Sequence, residues 1–197
     1  MVATIFVRRS CSTAVESTWR FARSNLRRLL GSELPTLGRM AGVLIAVEGT
    51  SDVTVLELLA RRRGLDLDAA GIEIVPIGGA HAIRRFVAER GSVTIRGLCD
   101  EREAHLFRRV LDDVYVCVPD LEGELIRALG AERVEAIIDL ESFRRFQHQI
   151  AQRGRPLDAQ LHRWLRSVSD RYHHYLPLLV QALDLERVPA PLAAVLS

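Results

Sequence analysis

The chain has 197 residues, 48% hydrophobic and 26% charged, with 13 Gly, 7 Pro and 3 Cys. That composition supports a sizeable buried core and excludes disordered, collagen-like and disulfide-framework classes. Charged residues or Gly interrupt every apolar run before the roughly 20 residues needed to cross a bilayer, so a soluble protein with no membrane partner is expected.

All 27 basic residues are arginine, which removes lysine chemistry such as Walker A nucleotide hydrolysis and Schiff-base catalysis. Cys11, Cys99 and Cys117 are too widely spaced for a zinc ribbon and fit a reducing compartment, so the cytoplasm is the expected location. The net charge of +2 conceals an asymmetry. Residues 1–40 carry seven Arg against two acids, residues 41–150 carry 14 Arg against 19 acids, and residues 151–197 carry six Arg against four acids. An acidic middle between basic ends suits a metal-holding centre flanked by phosphate-binding arms, although ordinary charge scatter gives the same totals.

Residues 1–40 read as a basic N-terminal extension with a helix from Thr18 to Leu30. In composition it resembles an organellar transit peptide; alternatively translation begins at Met40 and the extension is not native. From Gly42 apolar strands alternate with helices. Strands are expected at Val43 to Val47, Ile72 to Ile77, Val93 to Cys99 and Val114 to Val118. Helices are expected at Asp52 to Arg63, from His81 to Arg90, through Leu106, Phe107 and Val110, and at Leu121 to Leu129. Four β-α units in this order predict an α/β fold: a four-stranded, mainly parallel sheet covered by helices on both faces. After Gly130 only helical stretches follow, at Glu132 to Ile138, Ser142 to Gln152, Leu157 to Ser167 and Arg171 to Leu183. The expected organisation is a domain over 41–140 with a C-terminal helical appendix over 141–197 packed on it, since about 55 residues is marginal for a separate core.

Ligands of open parallel sheets bind beyond the carboxyl ends of the strands. Here those ends carry Glu48-Gly49-Thr50-Ser51-Asp52, Asp100-Glu101-Arg102-Glu103 and Pro119-Asp120-Leu121-Glu122. If the strands are neighbours, Glu48, Asp52, Asp100, Asp120 and Glu122 share one crevice and need a cation to relieve their repulsion. Oxygen donors without His or Cys point to Mg²⁺, with Mn²⁺ as substitute. Helix capping also accounts for Asp52, for the Asp100/Glu103 spacing and for Asp120. Glu48 resists that explanation, because it ends an apolar strand where neither capping nor strand propensity calls for it.

The order Val-Glu-Gly-x-x-Asp (Val47 to Asp52), the pair Gly78-Gly79, Leu-Cys-Asp (Leu98 to Asp100) and Asp-Leu-Glu (Asp120 to Glu122) resembles a TOPRIM domain. It is most similar to that of OLD-family (overcoming lysogenization defect) nucleases and their stand-alone bacterial relatives. The resemblance covers roughly residues 42–130. It implies a Rossmann-like TOPRIM fold and Mg²⁺-dependent hydrolysis of nucleic acid, DNA being the expected substrate, by a two-metal carboxylate mechanism. By that resemblance Glu48 and Asp100 are catalytic, and Glu48, Asp52, Asp100, Glu103, Asp120 and Glu122 ligate metal. Gly49, Gly78 and Gly79 let the backbone approach a phosphate. The family pattern has Asp-x-Asp after the third strand; Arg102 stands at its second acidic position here, and Glu103 is the substitute. The family's late lysine has no counterpart in this lysine-free chain, and Arg171 or another tail arginine is expected to substitute. No Gly-x-x-x-x-Gly-Lys loop is present, so any ATPase function belongs to a separate partner. The alternative is a catalytically degenerate module that binds metal, nucleic acid or a partner ATPase; a nucleotide-binding α/β regulator is a third reading.

Other features have ordinary explanations beside functional ones. Arg61 to Arg63, Arg84-Arg85, Arg108-Arg109 and Arg144-Arg145 suit phosphate contacts or solvated helix faces. Adjacent His173-His174 lacks the i,i+4 spacing of a zinc pair. Cys99 and Cys117 read as small core residues, and Trp19, Trp164 and Tyr172 as packing groups more than base-stacking platforms.

Overall fold

A computed structural model describes residues 42–197. The expected helix at Thr18 to Leu30 and the reading of the N-terminal extension lie outside the described residues, as do Cys11, Trp19 and the side chain of Tyr172. Among the described residues no helix is long and apolar enough to cross a membrane.

Four strands, β1 (Val43–Val47), β2 (Ile72–Pro76), β3 (Thr94–Asp100) and β4 (Val114–Cys117), form one sheet in the order β2-β1-β3-β4, with every pair parallel. Parallel strands need crossovers, supplied here by α1 (Thr50–Arg62), α2 (Ile83–Arg90) and the single turn α3 (Ala104–Phe107). The chain steps outward from β1 to β2, then reverses across β1 to β3 and β4. Right-handed crossovers in opposite directions place their helices on opposite faces. Accordingly α1 joins one apolar cluster with Ile45, Val47, Leu98 and Cys117, whereas α2 and α3 join another with Leu44, Ala46, Ile95 and Cys99. The two clusters divide each strand by its period of two, which explains why strands buried on both faces read as continuous apolar runs.

Beyond β4 the chain continues as α4 (Leu121–Leu129), α5 (Ala131–Glu135), α6 (Leu140–Gln147), α7 (Leu157–Arg166), α8 (Ser169–Ala182) and α9 (Ala190–Val195). Phe143, Leu161, Trp164, Leu165 and Leu179 from this region are fully buried in the same cluster as α1. Two arginines lock the helices to the sheet layer. Arg62 donates from Nη2 to the Leu183 carbonyl at 2.9 Å, beyond the end of α8, and Arg96 of β3 donates to the Val195 carbonyl at 3.1 Å, at the end of α9. Both satisfy carbonyls that a helix terminus leaves without partners.

β1 has the expected bounds, and the other three strands differ from expectation by one residue at one or both ends, because terminal ladder bonds are not visible in an apolar pattern. The helix expected from His81 divides into a 3-10 turn (Ala80–Ala82) and α2, and the stretch Ser142 to Gln152 divides into α6 and a 3-10 turn at Ile150–Gln152.

Gly97 sits in β3 beneath α3, where an added Cβ would lie 2.5 Å from Phe107 Cδ1 and 3.0 Å from Leu111 Cδ1. Overpacking of this kind costs about 1–3 kcal/mol. Gly97→Ala is therefore expected to lower stability by that amount in urea denaturation, with an unchanged slope.

Candidate functional site

The order reversal puts a crevice at the carboxyl ends of β1 and β3, which are hydrogen-bonded neighbours. Adjacent strands lie about 4.8 Å apart, so acids ending both strands are forced close together. Glu48 follows β1 and turns across the crevice: its Oε1 accepts the Asp100 backbone N–H at 3.3 Å. Asp100 is the last residue of β3, and Glu103 starts the following turn. One carboxylate oxygen from each of Glu48, Asp100 and Glu103 lies within 4.8 Å of the other two. Glu103 makes no capping bond to α3, so its carboxylate is available to this group.

The remaining predicted acids are placed differently. Asp52 Oδ2 accepts the Gly49 N–H at 2.9 Å, closing the first turn of α1, so here the capping alternative describes the geometry. Asp120 caps α4 through Oδ1, which accepts the Gly123 N–H at 3.0 Å. It also meets His162 Nε2 at 2.8 Å from both oxygens and takes a close hydrogen bond from Arg166 Nη1 at Oδ2. Glu122 is 1% exposed, and its Oε2 lies 3.7 Å from Arg166 Nη1. Its Oε1 is buried without a hydrogen-bond partner, a situation that costs free energy unless a proton or cation satisfies it.

Arg166 thus neutralises one half of the acidic set, and it lies 4.0 Å from Asp100 Oδ2. The expected arginine, Arg171, lies elsewhere. Its guanidinium stacks 4.6 Å over the Trp164 ring and donates to Ser167 Oγ at 2.7 Å and Ser142 Oγ at 3.2 Å. The reason is helical: Arg171 belongs to α8, whereas His162 and Arg166 sit four residues apart on α7 and share the face turned to Asp120. Neither His162 nor Arg166 stood out in the sequence analysis. The available signal was their i,i+4 spacing beside the buried stripe Leu161, Trp164 and Leu165.

Gly79 donates its N–H to the Glu48 carbonyl at 2.9 Å, at φ 102°, a conformation that favours glycine. It tethers the loop after β2 to the crevice rim, and Gly78 precedes it at φ 77°. Glu48, Gly49, Asp52, Gly79, Asp100, Glu122 and Arg166 line a cleft of about 500 Å³.

Electrostatics separate the two halves. Burial and the neighbouring carboxylates of Glu48, Asp120, Glu122 and Asp52 push Asp100 up to about 8. Burial, with Asp120 close by, raises Glu122 to about 7. Glu48 is raised by burial and by the charges of Glu103 and Asp52, against the Asp100 N–H and Arg166. Burial also raises Asp52, against the hydrogen bonds at its carboxylate. Asp120 goes the other way: burial would raise it, but His162, the Gly123 N–H and Arg166 outweigh burial and hold it below the usual carboxylate range.

The Glu48, Asp100 and Glu103 group fits a divalent cation. One oxygen from each lies within 4.8 Å of the other two, and all three donors are carboxylates, the hard ligands that Mg²⁺ takes. The all-oxygen donor set, the raised Asp100 and the orphaned Glu122 oxygen each describe a site short of positive charge.

The fold has counterparts among known proteins. The family model described as "Overcoming lysogenization defect protein-like, TOPRIM domain" matches residues 40–96, a segment that includes Glu48, Asp52 and Gly78-Gly79 and stops short of Asp100. Among solved structures, the C-terminal region of the Burkholderia pseudomallei OLD protein is similar with a TM-score of 0.56 and 15% identity, over 80% of this chain and 96% of that one. The C-terminal region of the Xanthomonas campestris pv. campestris OLD protein, phased with platinum, gives 0.56 and 17%, over 79% of this chain and 90% of that one. A search of curated proteins gives no match.

Linkage makes the raised Asp100 measurable. Below pH about 4 it is protonated whether folded or unfolded; between about 4 and 8 the unfolded chain ionises first, so native stability falls as pH rises, and above about 8 the loss is complete. Metal-free wild type is therefore expected to lose stability relative to Asp100→Asn across pH 4–8, a trend that thermal denaturation in EDTA checks and that added Mg²⁺ reverses. The family model matches the segment from β1 into β3, and the fold of the described residues is similar to the C-terminal regions of those OLD proteins.

Proposed function

We propose that this chain is a Mg²⁺-dependent phosphodiesterase that hydrolyses nucleic acid, with Mn²⁺ as an alternative cofactor and DNA as the favoured substrate. The observation that carries the reading is the meeting of Glu48, Asp100 and Glu103 at the β1–β3 crevice, with one oxygen from each within 4.8 Å of the others. These three residues would hold the cation. A divalent ion in such a site polarises a phosphoryl oxygen and lowers the pKa of bound water.

The chain's own residues supply the rest. The Asp100 N–H fixes the Glu48 carboxylate, so the two strand ends act as one unit. Arg166 is 46% exposed and faces the cleft, where its guanidinium offers paired donors to a phosphate. Asp120, itself gripped by His162 and the Gly123 N–H, sets the orientation of Arg166. In this reading Arg166 takes the place expected for Arg171, Asp52 shapes the α1 turn, and Gly49 and Gly79 let the backbone approach the substrate. Glu122 accepts the second cation of a two-metal mechanism or a proton in its absence. Cys99 and Cys117 are buried free thiols, which suits the reducing cytoplasm. Any control by ATP comes from a separate ATPase partner.

A second reading, a module that holds metal or nucleic acid without cutting, is favoured by one observation: Arg166 and His162 already occupy Asp120, leaving one carboxylate fewer for a second ion.

Incubation of the protein with plasmid, single-stranded DNA and RNA in Mg²⁺ or Mn²⁺ separates the readings. Cleavage is expected, with Glu48→Ala and Asp100→Ala each reducing it by at least about a hundredfold and Arg166→Ala by a similar factor. Arg171→Ala should leave the rate within about threefold once its loss of packing on Trp164 is corrected for by measuring folded fraction. Metal and strand binding without cleavage supports the non-cutting module, and cleavage that survives Glu48→Ala and Asp100→Ala removes the proposed site.

A further inference from the structure

A second cleft, of about 520 Å³, lies between α4 and α7 on the other side of Asp120. Its volume is within the roughly 300–1,000 Å³ of small-molecule sites. Its chemistry is unlike that of the acidic cleft. The floor is aliphatic, from Ile126, Ala131 and Ala159, and the exposed rim carries Arg155 and Arg163. Arg155 is positioned by its Nε, which donates to the Ala151 carbonyl at 2.9 Å. A third lining arginine, Arg127, is held by Glu124 at 2.8 Å. The lining acid, Asp158, is engaged by the Ala159 N–H at 2.8 Å.

His162 lines this cleft and bonds Asp120, which in turn bonds Arg166, a lining residue of the acidic cleft. The two clefts are therefore separated by one layer of side chains. An apolar floor beneath a cationic rim suits a nucleoside monophosphate unit: the base would lie on the aliphatic surface and the phosphate meet the guanidinium forks.

We infer that the α4–α7 cleft binds one nucleotide, with Arg155 and Arg163 on its phosphate and Ile126, Ala131 and Ala159 against its base. Resting on the phosphodiesterase reading, this nucleotide belongs to the strand whose scissile phosphate occupies the acidic cleft. A free nucleotide presents the same chemistry, and the test distinguishes the two sources.

Binding is measured in EDTA, where hydrolysis plays no part, with a short fluorescein-labelled single-stranded oligodeoxynucleotide by anisotropy and with AMP by calorimetry. Both substitutions sit outside the metal-holding residues: Arg163→Glu reverses a rim charge and Ala159→Phe fills the floor. Each is expected to weaken oligonucleotide binding about tenfold, and Arg163→Glu to reduce the salt slope by about one. Loss confined to the oligonucleotide assigns the site to the strand; loss of AMP binding as well assigns it to a nucleotide of either source. Unchanged binding in both variants, no binding of either probe by wild type, or weakening in Arg163→Glu with Ala159→Phe unchanged overturns the inference. Glu48→Ala should retain metal-free oligonucleotide binding while losing cleavage in Mg²⁺. A wild type that binds through this cleft yet never cleaves would refute the phosphodiesterase reading and leave the cleft assignment in place.

Discussion

Repulsion among carboxylates at the ends of two neighbouring parallel strands is the constraint around which this structure is arranged. β1 and β3 are bonded in register; Glu48 follows β1 at once and Asp100 ends β3, so the two acids are brought together by the backbone. Withdrawal of Glu48 would give up its bond to the Asp100 N–H. The charge must instead be met by protons, by arginine or by a cation, and the three solutions are distributed over different members of the group.

Arginine and histidine meet the demand at Asp120, which is the most strongly ionised member because His162, the Gly123 N–H and Arg166 surround it. The same guanidinium reaches Glu122 and Asp100 at longer range, and there burial wins, so both remain raised. Glu48, Asp100 and Glu103 are the portion that arginine leaves uncovered. The C-terminal helices therefore contribute to the site as well as to the core: α7 buries Leu161, Trp164 and Leu165 on one side and carries His162 and Arg166 to the acids on the other.

The fold was legible in the sequence because strands buried on both faces leave unbroken apolar runs, as Val43–Val47 does, and because each run ends in a turn signal. The crevice was legible at Glu48, whose position no local rule explains, and at Asp100, which the parallel register sets beside it. Asp52 was not separable from a ligand by sequence, since the same residue at the third position of a helix serves either purpose; the structure shows its Oδ2 accepting the Gly49 N–H. Which tail arginine lies at the crevice was hidden for a similar reason. Arg166 and Arg171 are both helical arginines near the chain's end, and only the packing of Trp164 turns one toward Asp120 and the other toward Ser142 and Ser167. His162 pairs with a residue 42 positions away, a contact that no local pattern encodes.

The central claim is that Glu48, Asp100 and Glu103 form a place for a divalent ion. Anomalous diffraction from crystals grown with Mn²⁺ tests it most directly. The account predicts a peak within coordination distance of one oxygen from each of these three side chains. An ordered site with no peak there, and Glu48 still resting on the Asp100 N–H, would contradict it.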